Sequence, residues 1–223
     1  GRWRWVGAQK PGGESEGRGT LTKEPLDGVE REYRLYLPLM RRVISLEIGS
    51  EAPMEPVEPD PRPPVLYYGT SIVQGAGVSR PGCGHVQLLE RALDVEILNL
   101  GFCGRAHCEP AKAELFARQP ARLILLDVLP NNGENEIGRR LPPFLEILLA
   151  AHDDIPVLLM EERLFGDAAF LPGRGRSRTA KNRALHEVVL DFRRNGHSHL
   201  HIVPMNEYYG EDGSTDANHP NDL

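Results

Sequence analysis

Three observations predict an α/β fold built on a parallel sheet. From Val65 onward, short apolar runs alternate with longer amphipathic segments. Most of the runs are continuously apolar, as expected of strands covered on both faces. Each is separated from the next by enough chain for the crossover that parallel neighbours need.

The chain has 223 residues. Residues 1–50 read as a small, partial β domain: "EYRLYLPL" and "VISLEIG" are β-rich segments separated by "MRR", and "GAQKPGGESEGRGT" is an exposed glycine-rich loop. Residues 51–64 read as a linker. The stretch "SEAPMEPVEPDPRPP" carries six prolines, which forbid helix and stiffen the chain. Residues 65–223 then form the α/β domain. Its strands are expected at "VLYY", "VEILNL", "RLILLDVL", "IPVLLM" and "HLHIVP", and its helices at "HVQLLERAL", "PAKAELFARQ", "RRLPPFLEILLAAH" and "TAKNRALHEVVLDFRRNG". Ligands of such sheets bind beyond the carboxyl ends of the strands. That rule selects four loops.

After the first strand, "GTSIVQG" places Ser71 among Gly69, Gly75 and Gly77, whose missing side chains allow close turns and leave the hydroxyl at the sheet edge. A G-x-S after a strand also suits a simple turn or helix cap. The second loop, "NLGFCGRAHC", offers Gly101 and Gly104 as backbone donors or as plain turn residues. In the third, "DVLPNN", Asn131 and Asn132 carry amides able to donate to an oxyanion or to close a turn. The fourth, "DGSTDANHPND", sets Asp216 three residues before His219, so one turn can bring the carboxylate to one imidazole nitrogen.

Together these loops resemble the four blocks of the SGNH hydrolases, also called GDSL-type esterases. "WRWVG", "EYRLYLPL", "YGTSIVQGAGVSRPG", "NLGFCG", "LDVLPNN" and "HPNDL" are similar to the subgroup in which a small β domain precedes the hydrolase domain. The resemblance implies a flavodoxin-like three-layer sheet. It matches Ser71 to the nucleophile, His219 and Asp216 to the rest of a catalytic triad, and Ser71, Gly104 and Asn131 to the oxyanion donors. The chain departs from the family at Thr70, where Asp is usual, at Cys103, where Ser is usual, at Ala217, where the subgroup tends to Gly, and at Asn132, where an apolar residue is common. The family also carries a helix after "HPNDL". With no initiator Met and no apolar leader in "GRWRWVGAQK", the expectation is a fragment or processed chain lacking that helix and the beginning of its β domain.

The implied activity is hydrolysis of small O-acyl esters through an acyl-serine, with carbohydrate O-acetyl groups among the candidate substrates and no metal or cofactor. Two alternatives share the residues: an acyltransferase using the same intermediate, and an inactive carbohydrate-binding module. A formal charge of -6 gives no general attraction to nucleic acid or anionic membranes, and no apolar run approaches the ~18 to 20 residues of a membrane helix. Three cysteines cannot all pair within one chain, which leans toward free thiols and a cytoplasmic setting.

Three further clusters stand outside these four loops. His197, His199 and His201 alternate as metal ligands would, or as ordinary strand-end histidines; His85, His107, Cys103 and Cys108 form a mixed site only if their loops converge. "RLFGDAAFLPGRGRSR", with four arginines, is a lid, an anion-binding loop or a solvated connection.

Overall fold

The computed structural model describes residues 3–8, 18–22, 24–205, 210 and 212–222. Internal contacts divide the chain into two units, Gly1–Leu35 with Glu55–Val57, and Tyr36–Met54 with Glu58–Leu223.

The first unit is extended chain. Among its described residues no strand forms, Arg34 lies over the Trp3 ring at 4.7 Å, and Arg31 pairs with Asp27. The strands expected at "EYRLYLPL" and "VISLEIG" are absent as well: the β-rich composition extends the backbone, but no neighbouring strand supplies a hydrogen-bond ladder, and Leu35, Leu37, Ile44 and Leu46 stay exposed. Of the expected glycine-rich loop, residues 9–17 lie outside the described residues.

The second unit holds five parallel strands, β1 (Val65–Gly69), β2 (Ile97–Gly101), β3 (Leu123–Asp127), β4 (Val157–Met160) and β5 (Leu200–Val203), in the order β2-β1-β3-β4-β5. Among the described residues five α-helices intervene: α1 (Ser71–Gln74), α2 (His85–Leu93), α3 (Pro110–Ala117), α4 (Glu134–Ala151) and α5 (Pro172–Arg194). Alternation along β1 sorts its side chains between the layers. Leu66 and Tyr68 join the large core with α3, α4 and α5, while Val65 and Tyr67 join a smaller cluster with Val73 and Val86. Tyr68 anchors the large core, fully buried among the rings of Phe116 and Phe144 at 5.0 and 5.4 Å.

Helix α4 begins at Glu134, five residues before the expected start at Arg139, with Gly133 N–H donating to Glu136 at 2.9 Å. Its buried stripe of Ile137, Leu141, Phe144, Leu145, Leu148 and Leu149 has the helical period. Helix α5 starts at Pro172 rather than Thr179. Gly173 and Gly175 weaken the local helical signal there, but a proline at the first position is already set for helical φ and forfeits no bond.

The strand order fixes where a site can form. From β1 the chain passes to β2 on one side and then to β3 on the other, so the crevice between the carboxyl ends of β1 and β3 is the topological switch point. Ser71 follows β1 and Asn131 follows β3.

Candidate active site

Strand β1 ends at Gly69, where an added Cβ would stand 2.3 Å from Val73 Cγ2 and 2.8 Å from the Asp127 carbonyl oxygen. Only glycine fits so close to the turn. Thr70 caps α1, its hydroxyl accepting the Ile72 N–H at 3.3 Å, and is fully buried. Threonine and aspartate both serve as N-caps, which accounts for Thr70 at the position where the family carries Asp. Ser71 follows as the first helical residue, 8 % exposed.

The Ser71 hydroxyl lies 2.9 Å from His219 Nε2. On the far side of the ring, Nδ1 lies 2.8 Å from Asp216 Oδ2. A carboxylate can only accept, so the proton sits on Nδ1 and Nε2 is left to accept from serine. Asp216 Oδ1 meanwhile takes the backbone N–H groups of His219 at 2.8 Å and Asn218 at 3.0 Å. Burial pushes the Asp216 carboxyl up, but these bonds outweigh it and hold the group below the ordinary carboxylate range.

The loop bearing His219 is tied down at three places. Ser79 donates its N–H at 2.8 Å, and its hydroxyl, to Asp222; the Ala217 carbonyl accepts from Gly166 N–H at 3.2 Å; and Ser214 donates to the His219 carbonyl at 2.9 Å. Gly77 makes room for it. A Cβ there would fall 2.7 Å from the Pro220 carbonyl oxygen and 3.0 Å from His219 Cβ, at a φ of +98°. Ala217 adopts a φ of 62°, the left-handed conformation that the glycine usual in the subgroup takes without strain.

Asn131 and Asn132 separate cleanly. The Asn131 Oδ1 accepts the Ala106 N–H at 3.2 Å, which turns its NH₂ away, and the residue lines a cavity beside Ser71. Asn132 is 3 % exposed, and its NH₂ donates to the carbonyls of Ala106 at 2.8 Å and Val128 at 2.7 Å. It latches the loop after β3 to the loop after β2. Gly104 lies in that second loop, exposed, at a φ of 66°, and does not line the cavity. Cys103, at the position usually held by serine, is exposed and gives its N–H to Gln74 at 2.8 Å.

The cavity measures about 170 Å³. Ser71, Ile72, Pro130, Asn131 and Asn218 form one side. Glu162, Phe165 and a row from the start of α5 form the other: Arg174, Ser177, Arg178 and Lys181. None of this second wall stands out as site residues in the sequence beyond its arginine-rich stretch, because the helical spacing that joins it lies ahead of the expected helix start at Thr179. Glu162 is buried, with Oε2 accepting from Lys181 at 2.9 Å; burial pushes its carboxyl up against the pull of that ammonium.

The remaining clusters do not converge. Among the described residues no group of three or more His, Cys, Asp or Glu side chains is arranged to hold a metal ion. His85 packs edge-on against Tyr67 with burial holding its imidazole below the ordinary value, and Cys108 is buried with its thiol pushed up to about 12. No helix among the described residues is long and apolar enough to cross a membrane.

Known proteins place this geometry in a family. The GDSL-like lipase/acylhydrolase family matches residues 62–223, and the family described as the N-terminus of SGNH-hydrolase-type esterases matches residues 1–55. A crystal structure from Bacteroides ovatus, described as a GDSL-like lipase, is 30 % identical with a TM-score of 0.69, over 72 % of this chain and 48 % of that one. A salicylyl-acyltransferase from a tetracycline biosynthetic pathway is 22 % identical with a TM-score of 0.65, over 74 % and 51 %. A family two carbohydrate esterase from Clostridium thermocellum, solved with cellohexaose, shares the fold at 13 % identity with a TM-score of 0.55, over 74 % and 61 %. The chain thus spans about half the length of the first two. No curated protein matches it. With the family matched across the whole α/β unit from β1 onward, the chain belongs to the GDSL-like lipase/acylhydrolase family.

Proposed function

We propose that this protein is a serine esterase that hydrolyses small O-acyl esters through an acyl-enzyme. One observation carries the reading: the continuous line from Asp216 through the His219 ring to the Ser71 hydroxyl, with both links under 3 Å. Serine is a weak nucleophile at its free pKa and needs a base in hydrogen-bond reach. His219 Nε2 takes the hydroxyl proton as Oγ attacks the ester carbonyl. Asp216 holds the tautomer and stabilises the imidazolium that forms.

The carbonyl oxygen becomes an oxyanion, met by the Ser71 N–H at the start of α1, the Asn131 amide and the Gly104 N–H. His219 returns the proton to the departing alkoxide, the alcohol leaves, and water repeats the sequence to release the acid. No step in this scheme calls on a metal or a cofactor.

Acyl transfer to an alcohol is the second reading, supported by the likeness to the salicylyl-acyltransferase. Both reactions share the acyl-serine and differ only in the acceptor. The likeness to a carbohydrate esterase supports acylated sugars as substrates or acceptors. Labelling with a fluorophosphonate, followed by product analysis with and without competing alcohols, tests the pair. Labelling and turnover should vanish together in Ser71→Ala. Labelling or turnover that survives the substitution would remove Ser71 from the chemistry, and ester products in the presence of alcohol would favour transfer.

A further inference from the structure

Beside Ser71 the cavity meets the first three turns of α5. Arg174, Ser177, Arg178 and Lys181 follow the i, i+3, i+4, i+7 spacing of one helix face. Farther along, the same face carries Ala184, Leu185, Val188 and Phe192 into the large core. The face therefore changes from apolar to cationic where the helix passes the end of the sheet and reaches the cavity. Solvent exposure alone asks only for polar residues. Three of these four are cations, in a chain whose formal charge is -6.

The hydrogen bonds of these cations hold them in place, and two of the three are ion-paired, Lys181 with Glu162 and Arg174 with Asp167. Lys181 Nζ donates to the Leu129 carbonyl at 3.0 Å as well as to Glu162, and Arg178 donates to the Glu162 and Met205 carbonyls at 3.0 and 2.9 Å. Carbonyls carry no formal charge. The guanidinium of Arg174 is seated 4.9 Å over the Phe165 ring, with Asp167 accepting at 3.1 Å. With Asp167 held against Arg174 and Glu162 against Lys181, three positive groups thus meet two acids, which leaves one net positive charge at the wall.

We propose that this wall recognises a carboxylate, so that the ester attacked by Ser71 is a monoester of a short dicarboxylic acid. The inference rests on the esterase reading and narrows it. A guanidinium fork matches a planar carboxylate with two parallel donors; Arg174, with one donor on Asp167, supplies the fork, while Arg178, with two donors on backbone carbonyls, supplies charge. Glu162 on the same wall disfavours a second negative charge. A cavity of about 170 Å³, set against the ~300 to 1,000 Å³ of drug-sized sites, limits the chain between ester and carboxylate to a few carbons.

The test compares monomethyl succinate with methyl levulinate, which replaces the terminal carboxylate by a methyl ketone at nearly the same size. Methanol release is followed by NMR for the wild type, and binding of each ester by NMR titration of the Ser71→Ala protein. A preference for the succinate of roughly tenfold or more is expected in both measurements. That preference should shrink with added salt and collapse toward unity in Arg174→Gln, with Arg174→Lys in between because it keeps the charge and loses the fork. Equal or tighter binding of the levulinate by Ser71→Ala would overturn the carboxylate assignment, whatever the catalytic result. Absence of Ser71-dependent methanol release from both esters, with the binding preference intact, would overturn the esterase reading and support the carboxylate site.

Discussion

Ser71 and His219 reach one hydrogen bond from opposite kinds of structure. The serine stands on a turn between β1 and α1 whose flanks, Thr70, Ile72 and Val73, are almost wholly buried, so its position is set by the packed core. The histidine stands on residues 212–222, a part-exposed segment with no strand or helix of its own, held by a short list of hydrogen bonds. Damage to the first should therefore appear in thermal stability. Damage to the second should appear in turnover while the fold melts almost unchanged.

The largest effect is expected where the two meet. If His219 is the base proposed above, His219→Gln should lower kcat by up to about 10⁶, the scale of losing the histidine from a serine triad, with little change in melting temperature. Asn131→Ala, which deletes the proposed oxyanion donor, should cost about 10² to 10³ in kcat and leave KM nearly unaltered. Its neighbour is the control. Asn132→Ala breaks two buried bonds and should register as about 1 to 3 kcal/mol of lost stability. A larger fall in kcat at Asn132 than at Asn131 would exchange their roles.

The two glycines sharpen the comparison. Gly77→Ala drives a methyl group into Pro220 and His219, and a displacement near 1 Å should lower kcat by about 10² while the melt barely moves. Gly69→Ala instead overpacks the elbow against Val73 and should cost about 1 to 3 kcal/mol of stability. Matched melts and initial rates on both variants decide whether the division between core and loop holds.

Acid should release the loop before the core. The Asp216 and Asp222 carboxyls are both held low in the folded protein, since hydrogen bonds outweigh the upward push of burial. The folded state thus binds these protons less readily than the unfolded state. Their contribution is complete above the ordinary aspartate value of ~3.9 and is lost as pH falls through the lower folded values. Hydrogen exchange on either side of that value should show residues 212–222 opening while β1 and β3 stay protected. The smallest expected effect is at Ala217, where glycine relieves the left-handed strain and should stabilise the loop by up to about 1 kcal/mol, read as retained activity on mild heating.

What could be read from the sequence follows the same line. The central strands β1 and β3 declare themselves because they are mostly buried and their runs are apolar, and Asp216 and His219 stand in a short motif that local geometry brings close, as Ser71 stands in its own tight turn. Thr70 reads as a departure but acts as a cap. The start of α5 is hidden by Gly173 and Gly175, and with it the spacing that joins Arg174 to Lys181. Glu162 is invisible for another reason: its partner lies 19 residues away, and nothing local marks it as buried. The β-rich N-terminal segments mislead because composition predicts an extended backbone and is silent on whether a neighbour exists to pair with it.

The change of character along one face of α5 also bears on how such an enzyme could diversify. Leu185, Val188 and Phe192 hold the helix to the sheet, while Arg174 and Ser177, two turns earlier, contribute little to the core. Mutations in the first two turns can exchange one recognised group for another with the scaffold undisturbed, so drift in the substrate need not wait for compensating changes in the interior. Arg178 and Lys181 are less free, because each also holds backbone carbonyls of the loops around the cavity. The readiest route to a new substrate runs through the outermost turn.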